Sequence, residues 1–279
     1  MEQLPTRYTK LIDRYQPVKV EGFTLYPITV EHYEEYLMVS QAIGYMQQRL
    51  SIELMSIPLL SAFFKMDLER AIRKEPTTGL FTGALLSLVL ALRLADDDEN
   101  CLEACKRLVP LTDKDDPTKL KALVFVSDTK TGETRTITPF QFETMRRVIA
   151  AQNGIDIPDE LDNPELVEAE QDLAEKKAPK LDAKLSDMVN AAAALTGAED
   201  EEIYRWAVLK LTRRLGSFRR IIDYIVCGIA EGSGASWKGG NPVPHPFFDK
   251  VKGDTGALIS MSSFAGGEGL KAMQNAGAV

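Results

Sequence analysis

The chain has 279 residues, 44% of them hydrophobic and 27% charged, with a formal net charge of −8 and a pI near 5.0. That balance excludes a whole-surface attraction to nucleic acid or to an anionic membrane, leaving only a local basic patch for such a role. Three cysteines (Cys101, Cys105, Cys227) are too few, and odd in number, for a disulfide framework, which fits a reducing compartment.

The first residues, MEQLPTRYTKLIDRYQP, carry charge throughout and lack the apolar run of a signal peptide. Residues 4–16 are expected to form a short helix stopped by Pro17. Val18–Ile28 reads as a hairpin in which Val18, Val20, Phe23 and Leu25 are β-formers around a Glu21–Gly22 turn. Thr29 is expected to cap a helix from Val30 to about Leu50, with Glu31, Glu34 and Glu35 where the helix dipole favours acids. Pro58 suits the first position of a helix running to about Arg73. Phe81–Leu94 is apolar nearly all round, the pattern of a central buried helix. It falls short of the ~20 apolar residues of a bilayer span, so no membrane association is expected. Asp96–Glu99 lacks the glycine of an EF-hand loop and reads as solvated.

A short helix is expected over 101–109. Leu120–Thr138 carries the clearest β signal, a hairpin turning around Asp128–Gly132. Thr138-Pro139-Phe140-Gln141 then opens a helix with an N-cap, proline at the first position and glutamine at the third. That helix runs to Gln152, with Phe142, Met145, Val148 and Ile149 on one side and Asn153–Gly154 as a left-handed stop. Residues 156–185 are acid-rich and read as a linker holding one exposed helix, Pro164–Lys177. Ser186–Thr196 is an alanine-rich helix closed by Gly197.

Glu199–Glu202 is expected to open a long helix reaching Glu231. Within it Tyr204, Val208, Leu211, Leu215, Phe218, Ile222, Ile225 and Ile229 follow a three-and-four spacing that lines one face. Arg205, Lys210, Arg213, Arg214, Arg219 and Arg220 spread around the other side as a basic face, which as a rule is solvated. Gly216 marks a kink or a break. Paired with 186–196, most of the stripe is expected to be the core of a helical hairpin. Residues 232–279 hold ten of the nineteen glycines, a density that disfavours a packed core and suggests a mobile tail. The tail's PVPHPFF segment is pre-extended and suited to docking. Trp237, Pro242, Pro244, His245, Phe247 and Phe248 are therefore the expected partner-binding residues.

No catalytic constellation is apparent. Cys101 and Cys105 have metal-ligand spacing, but the two histidines, His32 and His245, lie far from them in sequence, so neither a metal nor a cofactor is expected. His32 has no neighbouring nucleophile in sequence and reads as structural. Asp254-Thr255-Gly256 matches the aspartic-protease tripeptide without the apolar strand that the motif needs, and Gly266-Gly267-Glu268-Gly269 follows no strand.

Three segments together, LYPITVEHYEEYL (Leu25–Leu37), ITPFQFETMRRVIAAQNGID (Ile137–Asp156) and the YRW…RR…IIDYI helix with its PVPHPFF tail, resemble the tail assembly chaperones of phages that infect Gram-positive bacteria. The resemblance implies a largely helical non-enzyme of the host cytoplasm that keeps the tape measure protein soluble and recruits tail-tube subunits. A connector or baseplate subunit retained in the virion tail is the alternative, and a nucleic-acid-binding protein using the basic face is the third. Self-association is compatible with each.

The expected architecture is mainly α with one or two small β-hairpins. It comprises a helical domain (1–155), an acidic linker (156–185), a helical hairpin (186–231) and a glycine- and proline-rich tail (232–279).

Overall fold

A computed structural model describes residues 4–95, 100–128, 133–157, 184–234 and 243. Among these the protein is mainly helical, with one two-stranded and one three-stranded antiparallel sheet, as the sequence implies. The chain divides into two compact units, Met1–Ile28 with His32–Pro164, and Thr29–Glu31 with Glu165–Val279.

The first unit begins with α1 (Thr6–Asp13) and the hairpin β1 (Val18–Val20) and β2 (Phe23–Leu25). Val20 pairs with Phe23, leaving Glu21 and Gly22 as a two-residue loop with φ of 51° and 79°. Positive φ at both central positions is the turn whose twist matches that of paired strands. Val18, Val20, Phe23 and Leu25 all point into the core.

A single helix over 30–50 is not what forms. Val30–His32 is a 3₁₀ turn, α2 spans Tyr33–Ile43, and α3 (Ile52–Met55) stands alone. Thr29 is not the cap; His32 occupies the N-cap position. At the other end Gly44 lies so close to the chain that a β-carbon there would sit 2.9 Å from the Ser40 oxygen and 3.1 Å from that of Asp156. Beyond it the buried Arg146 donates to the carbonyls of Ile43 and Tyr45, each at 2.7 Å. Carbonyls at a helix end need such a donor when water is excluded.

Helix α4 (Leu59–Ile72) has Pro58 as its N-cap and not at its first position, so it starts one residue later than expected. Helix α5 (Leu80–Leu92) is the predicted central helix, buried at every position from Gly83 to Ala91. Its one polar buried group, Ser87, donates to the Ala84 carbonyl. The expected helix over 101–109 is shorter: α6 is Cys101–Ala104, followed by a 3₁₀ turn and then a strand. That strand, β3 (Val109–Thr112), pairs with β4 (Leu120–Asp128), whose other side carries β5 (Glu133–Ile137). Pro110 and the exposed side chains of β3 suit an edge position and hide the strand from a burial-based reading.

Helix α7 (Pro139–Asn153) has the predicted capping box. The Thr138 hydroxyl accepts from Gln141 N, and the Gln141 side chain accepts from Thr138 N. Gly154, at φ 69°, ends it. Its polar side chains then tie down the rest of the unit. Glu143 accepts from Leu59 N at the start of α4, Gln152 donates to the Leu25 carbonyl, and Asn153 accepts from Ile28 N. The Tyr36 hydroxyl donates to the Asn153 carbonyl.

The second unit contains α8 (Leu185–Thr196), closed by left-handed Gly197, then α9 (Asp200–Tyr204) and α10 (Val208–Gly232). The long helix expected from 199 to 231 is therefore interrupted, at Arg205–Ala207 and not at Gly216, which lies buried within α10. The interruption has a cause: Ala207 bridges Thr29, and the Trp206 carbonyl accepts from Val30 N at 2.8 Å. Backbone groups engaged sideways in this way cannot complete a helical ladder. The expected linker helix, the acidic residues Asp96–Glu99, and Asp254 and Gly266 with their motifs all lie outside the described residues.

Candidate functional site

The stripe of α10 changes character along its length. Val208, Leu211 and Leu215 are buried, Phe218 is half-buried, and Ile222, Ile225 and Ile229 are exposed, Ile229 by 64%. The expectation that most of the stripe forms hairpin core therefore holds only for its first half. Tyr204 belongs to α9 and leaves the stripe altogether. The second half, together with Val226, puts apolar side chains at positions 222, 225, 226 and 229. That spacing places all four along one side of a helix.

The six basic residues do not make one open patch. Arg205 and Arg214 are exposed, whereas Lys210, Arg213, Arg219 and Arg220 are half-buried. The Lys210 ammonium sits 3.9 Å from the centre of the Trp206 ring, and the same ring's N–H donates to Glu202. Burial pulls the Lys210 pKa down, with Glu202 opposing that pull. Arg219 pairs with Asp223 one turn on, at 3.7 Å. These are local contacts of an amphipathic helix, and partially exposed pairs of this kind contribute little energy.

Trp237, Pro242, Pro244, His245, Phe247 and Phe248, the residues expected to bind a partner, lie outside the described residues; Val243, in the same PVPHPFF segment but not one of the six, is described and buried. No described helix is long and apolar enough to cross a membrane.

One cluster escapes the sequence reading. His32, at the N-cap of α2, Glu35 in its first turn and Cys101 at the start of α6 bring their ligand atoms within 4.8 Å of one another. His32 Nδ1 and Cys101 Sγ are 3.8 Å apart. His32 and Glu35 are half-buried and Cys101 is buried. Cys105, the partner that spacing suggests for Cys101, turns its thiol to the Cys101 carbonyl at 3.3 Å. Burial, reinforced by Cys101, pushes its pKa up to about 11 and keeps it protonated. The three-residue step from His32 to Glu35 is visible in the sequence as neighbours on one helical side. Their meeting with Cys101 depends on how α5 and α6 fold back, which no local pattern encodes. Protein-family models, curated proteins and solved structures give no match to this chain.

Proposed function

We propose that the chain is a non-enzymatic assembly chaperone of a phage tail, which covers apolar helices of tape measure and tail-tube proteins until they are built in. The observation that carries this reading is the uncovered second half of α10, where Ile222, Ile225, Val226 and Ile229 present an apolar edge. Anchors at this spacing are the pattern by which one amphipathic helix docks against another. A contiguous exposed apolar strip more often marks an interaction surface than an idle one. The net charge of −8 would keep such a complex dispersed.

A nucleic-acid role draws less support, because Lys210 and Arg219 are engaged within their own unit.

The test is co-expression of the full chain with the tape measure and tail-tube proteins of the same phage. Wild type should hold the tape measure in the supernatant. Ile225→Glu with Ile229→Glu should release it while circular dichroism and the unfolding midpoint stay unchanged. Equal client recovery with the double variant would sink the proposal. Mass spectrometry of purified particles separates a chaperone, which should be absent, from a retained subunit.

A further inference from the structure

We propose that His32, Glu35 and Cys101 form a binding site for a divalent transition ion of the zinc class. This goes beyond the assembly role and does not depend on it. The ligands would be His32 Nδ1, a Glu35 carboxylate oxygen and the Cys101 thiolate.

The geometry is close to what such an ion requires. With zinc–sulfur and zinc–nitrogen bonds of about 2.3 and 2.05 Å, the edge between S and N of a tetrahedron is roughly 3.6 Å. The Sγ–Nδ1 separation is 3.8 Å, so this edge is nearly formed already. All three ligand atoms fall within 4.8 Å of each other. The backbone fixes the arrangement from two directions. His32 and Glu35 are three residues apart at the start of α2, where side chains at that step are neighbours. Cys101 is presented from the first position of α6, with Asn100 capping that turn by accepting from Leu102 N.

Ligand chemistry narrows the ion. Magnesium and calcium select oxygen donors, and copper(I) selects soft sulfur. One imidazole, one thiolate and one carboxylate suit zinc, or cobalt as its spectroscopic substitute. Cys105 is not in the set, because its thiol is committed to the Cys101 carbonyl. Three protein ligands leave a tetrahedral ion one position, which water fills. Because a thiol ligates as thiolate, binding is coupled to release of a proton to solvent.

The experiment uses the full chain, freed of metal by a chelator and titrated with zinc or cobalt chloride. One ion per chain should bind, with release of a proton. Cobalt should show a thiolate-to-metal charge-transfer band that Cys101→Ser abolishes. His32→Gln and Glu35→Gln should each weaken zinc by about tenfold or more, since even outer-shell changes cost that much. Cys105→Ser and Cys227→Ser should bind as wild type does. Zinc at a hundredfold excess over Kd should raise the unfolding midpoint of wild type by roughly 5 °C or more and leave Cys101→Ser unmoved. Glu35→Gln alters a half-buried group at a helix start, so it reads out binding even if a cysteine variant folds poorly. A cobalt spectrum without the charge-transfer band overturns the proposal, as does zinc affinity unchanged in His32→Gln or Glu35→Gln. Such a result would leave Cys101 and His32 as a thiol–imidazole contact.

Discussion

Helices α5 and α10 both announce themselves by apolar side chains, yet they end differently. Around α5 every position from Gly83 to Ala91 is covered, so its sequence needs no polar face. Along α10 the stripe is covered only as far as Phe218; Cys227 beyond it is buried, but Ile222, Ile225 and Ile229 stand in solvent. A stripe reports that a helix has an apolar side; it does not report whether the chain's own residues are long enough, or placed, to cover it. The first unit also supplies polar ties from α7, buried at Arg146, Gln152 and Asn153 and half-buried at Glu143, which fix where neighbouring elements begin and stop.

This contrast can be broken most forcefully at Arg146. Arg146→Ala removes the donor to the Ile43 and Tyr45 carbonyls and the ion pair with Glu143, 3.5 Å away, which keeps only its bond from Leu59 N. A loss of about 3–5 kcal/mol in urea unfolding is expected for a buried, hydrogen-bonded charge. A loss below about 1 kcal/mol would mean that α7 is not the tie it appears from these bonds.

The next largest effect is one of pH. Burial above all, then the neighbouring Tyr33 and Asp156, pushes the Tyr36 phenol from 10.0 up to about 12. The folded state thus keeps a proton that the unfolded chain loses first, so stability is fully present below pH 10. It falls as pH rises from 10 to about 12, by about 2–3 kcal/mol for this group. Tyr36→Phe should cost about 1 kcal/mol at neutral pH, through the lost hydrogen bond to the Asn153 carbonyl, and should flatten the alkaline decline. Parallel alkaline slopes in the two proteins would remove Tyr36 from the account.

The smallest effects give the sharpest form of the comparison, because one substitution should have opposite signs in the two helices. A β-carbon on Gly83 would lie 2.9 Å from both the Ala42 β-carbon and the Met38 carbonyl oxygen. Gly83→Ala should therefore destabilise by about 1–2 kcal/mol, overpacking outweighing the gain in helix propensity. Gly228, in the uncovered part of α10, has nothing within 4 Å of its would-be β-carbon. Gly228→Ala should stabilise by about 0.5–1 kcal/mol. Thermal midpoints of the two single variants decide the matter.

What was legible from sequence follows the range of the forces involved. Thr138 and Gln141 cap a helix across three residues, Glu21–Gly22 turns a hairpin across two, and α5 declares itself by composition alone. Each is a local commitment, so the residues that make the structure stand beside one another. The end of α2 depends on Arg146, the break before α10 on Thr29 and Val30, and the His32–Cys101 approach on the path of the four helices α2 to α5 between them. None of these partners is within reach of a local pattern. β3 was hidden for a different reason, its apolar residues being spent on an exposed edge.

The three residues Thr29–Glu31 have a consequence for how the second unit can be made. It is a discontinuous body: its Ala207 bridge and the acceptor at Trp206 are completed by chain that was synthesised long before them. A fragment beginning at 184 would hold α8, α9 and α10 yet leave the Trp206 carbonyl without the Val30 amide. No single cut in the chain yields both units whole, and a two-fragment complementation would need its N-terminal piece to lend residues 29–31 to the other. On the ribosome, residues 29–31 are already there when Trp206 and Ala207 emerge to meet them.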